Sequence, residues 1–149
     1  MVETIFEFLN SVGFKHPLHP ALTHIPMGMV MGAFIFRVAS LLPRMKFLAK
    51  TGYHCIVLAL LWIAPAVFAG YLDWQHTFGG AMDFLIGLKI ALAVIFTGFL
   101  IAILVMDDPE NPKLNRITLF YFITLLLTIG LGFSGGELTQ RLIHAAAAG

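Results

Sequence analysis

The chain has 149 residues, 59% of them hydrophobic and 11% charged, with a mean hydropathy of +0.90. Soluble domains carry about 25% charged residues, so these values exclude an ordinary soluble protein, and the length argues for one membrane domain spanning residues 1–149. Nine Lys and Arg against eight Asp and Glu give a net charge of +1, which leaves no basic excess for nucleic acid. Cys55 stands alone, which excludes an internal disulfide and disfavours a Cys-based metal centre.

Residues 1–14 set Ile5, Phe6, Phe8 and Leu9 among Glu3, Glu7 and Asn10, over too short a length to span a bilayer. This pattern predicts an amphipathic helix lying in the interface. It lacks the positive n-region and unbroken apolar run of a cleaved signal peptide.

Four stretches without Asp, Glu, Lys or Arg follow, at 16–36, 51–72, 90–106 and 117–136. A spanning helix needs roughly 20 apolar residues. With Arg37 and Lys89 snorkelling toward the headgroups, spanning helices are expected at about 20–43, 51–73, 82–106 and 116–135. Runs such as Leu58-Ala59-Leu60-Leu61 lack the alternation of a barrel strand. The expected fold class is therefore all-α, an integral membrane four-helix bundle with an N-terminal interfacial helix, its neighbours antiparallel across short loops.

Both termini and the loop around His76 then share one membrane side, side A. The loops at 44–50 and 107–116 share side B. Side B carries Arg44, Lys46, Lys50, Lys113, Arg116 and a snorkelling Arg37, six charges against three for Lys15, Arg141 and Lys89 at side A. The positive-inside rule puts side B in the cytoplasm and both termini outside it.

Five of the six histidines, His16, His19, His24, His76 and His144, fall at side A. His24, Gly28 and Gly32 recur at i, i+4 and i+8, one stripe along the first spanning helix. Two residues without side chains beneath an imidazole leave room for a packed helix or for the flat face of a macrocycle. Ala66, Gly70 and Asp73 make a second small-residue stripe, and Asp73 precedes His76 by three residues, a spacing at which a carboxylate can fix the tautomer of a ligating imidazole. As structural residues, Asp73 and Trp74 would only mark the interface. His19 can ligate or hold a propionate, His16 reads as a solvated interface residue, and His144 lies in a weakly specified tail. His54 lies near side B, out of reach of the others. Lys89, an intramembrane charge, can meet a propionate, Asp83 or Glu137.

At His16-Pro17-Leu18-His19-Pro20-Ala21-Leu22-Thr23-His24-Ile25-Pro26-Met27-Gly28 the chain resembles the opening signature of a bacterial membrane-protein family catalogued as domain of unknown function 2231. Gly70-Tyr71-Leu72-Asp73 and Gly135-Gly136-Glu137-Leu138 resemble two weaker family features, so the likeness runs through nearly the whole chain. The resemblance implies a small four-helix protein of the bacterial inner membrane, sometimes accompanying respiratory or redox components, and no particular activity. The chain departs from the family where a histidine is often expected early in the third helix, for Asp83 to Lys89 contains none.

The leading functional expectation is a b-type haem-binding subunit, with iron between His24 and His76 and the porphyrin against Gly28 and Gly32. His19, Asp73 and Lys89 would complete the cofactor site. Such a subunit passes electrons between the quinone pool and a respiratory partner, with membrane lipid, other complex subunits, a cytochrome or a quinone as partners, and haem b and quinone as cofactors. A non-haem metal site of side A histidines with Asp73 or Glu137, and a structural or anchor subunit, are the alternatives. An independent enzyme does not suit so small a chain, and the absence of inverted repeats argues against a secondary transporter.

Overall fold

The computed structural model describes residues 2–13 and 18–147, Phe78 and residues 137–147 by backbone alone. The described residues form helices and turns only: α1 (Val2–Ser11), α2 (Leu18–Ala39), a 3-10 turn at Pro43–Met45, α3 (Leu48–Phe78), α4 (Phe84–Met106) and α5 (Arg116–Ala147). α2, α3, α4 and α5 each contain a segment long and apolar enough to cross a bilayer. The protein is a multi-pass membrane bundle of four helices with a short amphipathic helix ahead of it. In α1 only Phe6 is buried, while Glu3, Glu7 and Phe8 stay exposed.

The long helices stray from their expected bounds for local reasons. α3 runs through His76 to Phe78 and stops at Gly79, whose left-handed φ of +57° lets its N–H reach the Trp74 carbonyl. α5 passes through Gly135 and Gly136 to Ala147. α2 ends early, at Ala39, where Pro43 opens the 3-10 turn.

The closest helix pair is α2 against α3, and small residues allow it. Ala33 and Ala59 are fully buried, and a methyl group placed on Gly52 would lie 3.1 Å from the Ala33 carbonyl oxygen. Val30, Ile56, Phe96, Leu100 and Ile103 fill the core around them. The Gly28 and Gly32 stripe takes no part in this seam. Gly28 has nothing within 4 Å, and Gly32 meets only Phe36 of its own helix.

Pro26 lies inside α2 and lacks the N–H that would bond the carbonyl of Leu22. That carbonyl accepts the Trp62 indole N–H of α3 at 3.1 Å instead. A helix interruption in lipid thus finds its replacement partner on the neighbouring helix.

At side B, Arg37 does not snorkel; it is only 1% exposed. Its Nη1 donates to Asp107 Oδ1 at 2.9 Å, Nη2 to the Lys113 carbonyl at 3.2 Å and Asn115 Oδ1 at 3.4 Å, and Nε to Thr118 Oγ1 at 3.3 Å. Tyr121 donates its hydroxyl to the other Asp107 oxygen at 2.9 Å, and the guanidinium lies 5.6 Å from that ring's centroid. An unpaired Arg deep in a bilayer costs about 2.5–3.5 kcal/mol or more. Here the carboxylate that ends α4 neutralises it, and with the turn before α5 takes four of its five N–H donors, which joins α2, α4 and α5 at one end.

Candidate functional site

The sequence-selected polar residues gather at side A, but in three separate arrangements. The first is built on Asp73. It is buried near the end of α3, and its Oδ1 and Oδ2 accept the backbone N–H groups of Leu18 at 3.1 Å and His19 at 2.7 Å. These belong to the orphan donors at the start of α2, and a carboxylate there also meets the positive end of the helix dipole. Asp73 therefore caps α2 from another helix. It does not serve His76, as the three-residue spacing suggested: its oxygens take the α2 terminus, and His76 Nδ1 lies against Glu3 instead.

His19 is fitted against α3 by the same junction. Its Nδ1 lies 2.9 Å from the Ala66 carbonyl oxygen, and a methyl group on Gly70 would come within 2.8 Å of Nδ1. The Ala66 and Gly70 stripe is thus the bed of an imidazole from α2. A carbonyl only accepts, so Nδ1 carries the proton and the neutral ring keeps its lone pair on Nε2. Nε2 accepts no hydrogen bond from the described residues.

Lys89 reaches the same end from α4. The side chain is half-buried, Nζ lies 3.8 Å from where a methyl group on Gly135 of α5 would stand, and its charge acts on both Asp73 and His19. It makes no salt bridge among the described residues. His19, Asp73 and Lys89 thus share one end of the bundle.

His76 belongs to the second arrangement. Its Nδ1 is 3.2 Å from Glu3 Oε1, and its ring stacks on Phe6 with centroids 3.9 Å apart and planes 7° from parallel. The imidazole holds the amphipathic helix α1 to the end of α3. The adjacent Trp74 donates its indole N–H to the Ala81 carbonyl at 2.8 Å and braces the turn before α4.

His24 forms the third arrangement by itself. It is exposed on the outer face of α2, with the open surface of Gly28 one turn below. Leu22 meets Trp62, and Ala33 meets Gly52, so α2 and α3 run antiparallel with His24 near the level of Trp62. At roughly 1.5 Å of rise per residue, His76 lies about 20 Å further along the bundle. The His24 and His76 pair is corrected accordingly: two imidazoles at different levels, one of them engaged by α1, do not face one iron within a single chain.

Among the described residues, no three His, Cys, Asp or Glu side chains come together as a metal-ion site. His54 is exposed near side B and touches Tyr53 edge-on. His16 lies outside the described residues, as do the side chains of Glu137 and His144. Three features escaped the sequence reading: the Arg37 cage, the trans cap on α2 and the Trp62 bond to the carbonyl that Pro26 frees. Only the last had a local signal, a proline within an apolar helix.

Four spans with a polar junction at one end and a buried ion pair at the other define a small helical membrane protein. The family described as "Predicted membrane protein (DUF2231)" matches residues 15–143, and the chain belongs to it. No curated protein and no solved structure matches the chain.

Proposed function

We propose that the chain is a non-catalytic electron-transfer subunit of a respiratory complex in the bacterial inner membrane, carrying a b-type haem on the outer face of α2. The observation that supports this reading is His24 itself, an imidazole presented outward above a helix surface left bare by Gly28. If a haem is held there, His24 would be this chain's ligand to it and any further ligand would come from outside this chain. When bound, the haem supplies one-electron redox chemistry. The chain's own work is to present His24 and to hold α2 at a fixed height through Asp73, Arg37 and Trp62. The charge asymmetry of the sequence puts side B in the cytoplasm and both termini on the opposite side.

The test is an oxidised and dithionite-reduced visible spectrum of detergent-purified protein expressed with added haem, with pyridine haemochrome quantitation. The expected result is a Soret band that sharpens on reduction, is lost in His24→Ala and survives in His76→Ala. A colourless wild-type protein overturns the haem reading. It would favour a structural anchor, a role that suits a chain whose buried side-chain polar atoms all have partners among the described residues.

A further inference from the structure

We propose that the His19 and Lys89 junction binds the headgroup of an isoprenoid quinol, whose tail leaves through the groove between α4 and α5. The inference rests on the respiratory electron-transfer role proposed above and not on the haem.

The headgroup argument is one of matched polarity. His19 offers an acceptor at Nε2 because the Ala66 carbonyl fixes its proton on Nδ1. Lys89 offers donors and no acceptor, and its charge has no salt-bridge partner among the described residues. Asp73 is committed to capping α2 through the Leu18 and His19 N–H groups. A ligand that satisfies this pair must donate one proton and accept another near the end of a membrane span. A dihydroxylated aromatic ring does both. A lipid phosphate has acceptors for Lys89 but no donor of its own for Nε2, so only a headgroup that also carries a hydroxyl or ammonium competes, which the phosphatidylglycerol arm of the test addresses.

The tail argument is one of place. An apolar groove of about 520 Å³ lies between α4 and α5, lined by Leu85, Leu88, Leu92, Ile129, Phe133 and Ser134 among others. Leu88 adjoins Lys89, and Ser134 adjoins the Gly135 beside which Lys89 Nζ rests. The groove is open on one side, in the half of the bundle nearer side A. A flexible hydrocarbon can therefore lie along it while the ring stays at the polar junction. An intramembrane charge is a functional-site candidate by default, and ligand sites are mostly apolar with a few placed polar groups.

The probe is a quinol with a decyl tail, kept reduced under anaerobic conditions. It is equilibrated with the full chain in phosphatidylcholine nanodiscs and with empty discs, and bound quinol is quantified after separation. The expected result is a saturable excess of one quinol per chain. Lys89→Met should weaken binding by about tenfold or more. His19→Asn should do likewise, since it retains a donor for Ala66 but removes the Nε2 acceptor. Arg44→Gln should bind as wild type does, and circular dichroism of every variant checks that the helices persist.

No saturable excess, or equal binding by wild type and Lys89→Met, overturns the site. Displacement of the quinol by phosphatidylglycerol added to the discs also overturns it, in favour of a lipid headgroup. Haem content is read separately on the same samples. A colourless protein that binds quinol removes only the haem, and a haem-loaded protein that binds none removes only this site.

Discussion

The two ends of the bundle each hold a basic residue inside a spanning helix, and they treat it in opposite ways. At side B, Arg37 has a carboxylate, two side-chain oxygens and a carbonyl around it, and Tyr121 closes the set by bonding the far oxygen of Asp107. At side A, Lys89 stands half-buried beside a carboxylate already committed to capping α2. The first arrangement neutralises its charge and engages four of its five donors. The second leaves Lys89 without a salt bridge and His19 Nε2 without a hydrogen bond among the described residues. The difference teaches that an intramembrane charge is diagnostic of function only after its partners have been counted.

The sharpest way to break the comparison is to unpair side B. Asp107→Leu leaves the guanidinium buried without its anion and should destabilise the bundle by about 3–5 kcal/mol. The double variant Arg37→Met with Asp107→Leu should recover much of that loss, because apolar side chains of similar volume avoid both desolvation costs. Reversible unfolding in mixed micelles titrated with denaturing detergent measures both. If the single and double variants prove equally unstable, the ion pair is not what joins α2 to α4 and α5.

Side A is sharpened by crowding the imidazole. Gly70→Ala would put a methyl group within 2.8 Å of His19 Nδ1, so the ring must shift from Ala66 or the helices must part. The expected cost is about 1–3 kcal/mol, measured by the same unfolding titration. The ring's nitrogen chemical shifts should move as well. Gly28→Ala, where the added methyl meets nothing within 4 Å, is the matched control and should leave stability nearly unchanged.

Much of the fold was legible in the sequence because charge-free stretches report spans through a local average. The same averaging hid the partners. Arg37 looked like a snorkelling residue because Asp107 falls 70 positions away, in what reads as the start of a surface turn. Asp73 looked like a partner for His76 because a three-residue spacing is visible in sequence, while the α2 terminus that it caps lies more than 50 positions back. The residues of the side A junction stood out in the sequence as polar groups in costly places. Their pairing did not, since it depends on the antiparallel register of α2 and α3, which the Trp62 to Leu22 and Gly52 to Ala33 contacts set.

The smallest expected effect concerns α1, the one part of side A held on from outside the bundle. Its tie is the Phe6 stack on His76 together with an exposed ion pair, Glu3 being 73% and His76 36% solvent-accessible. Exposed pairs contribute about 0–1 kcal/mol, and an aromatic pair adds about 0.5–1.5 kcal/mol beyond the area it buries. Phe6→Ala should therefore release α1 more than Glu3→Gln does, and neither should disturb the spanning helices. Amide hydrogen exchange tests this directly: protection over residues 2–11 should fall in Phe6→Ala, fall slightly in Glu3→Gln, and stay constant over α4 in both. Loss of protection in α4 would mean that α1 braces the bundle. Loss confined to α1 would make His76 a docking post for the amphipathic helix, leaving His24, His19 and Lys89 as the side A groups available to a ligand.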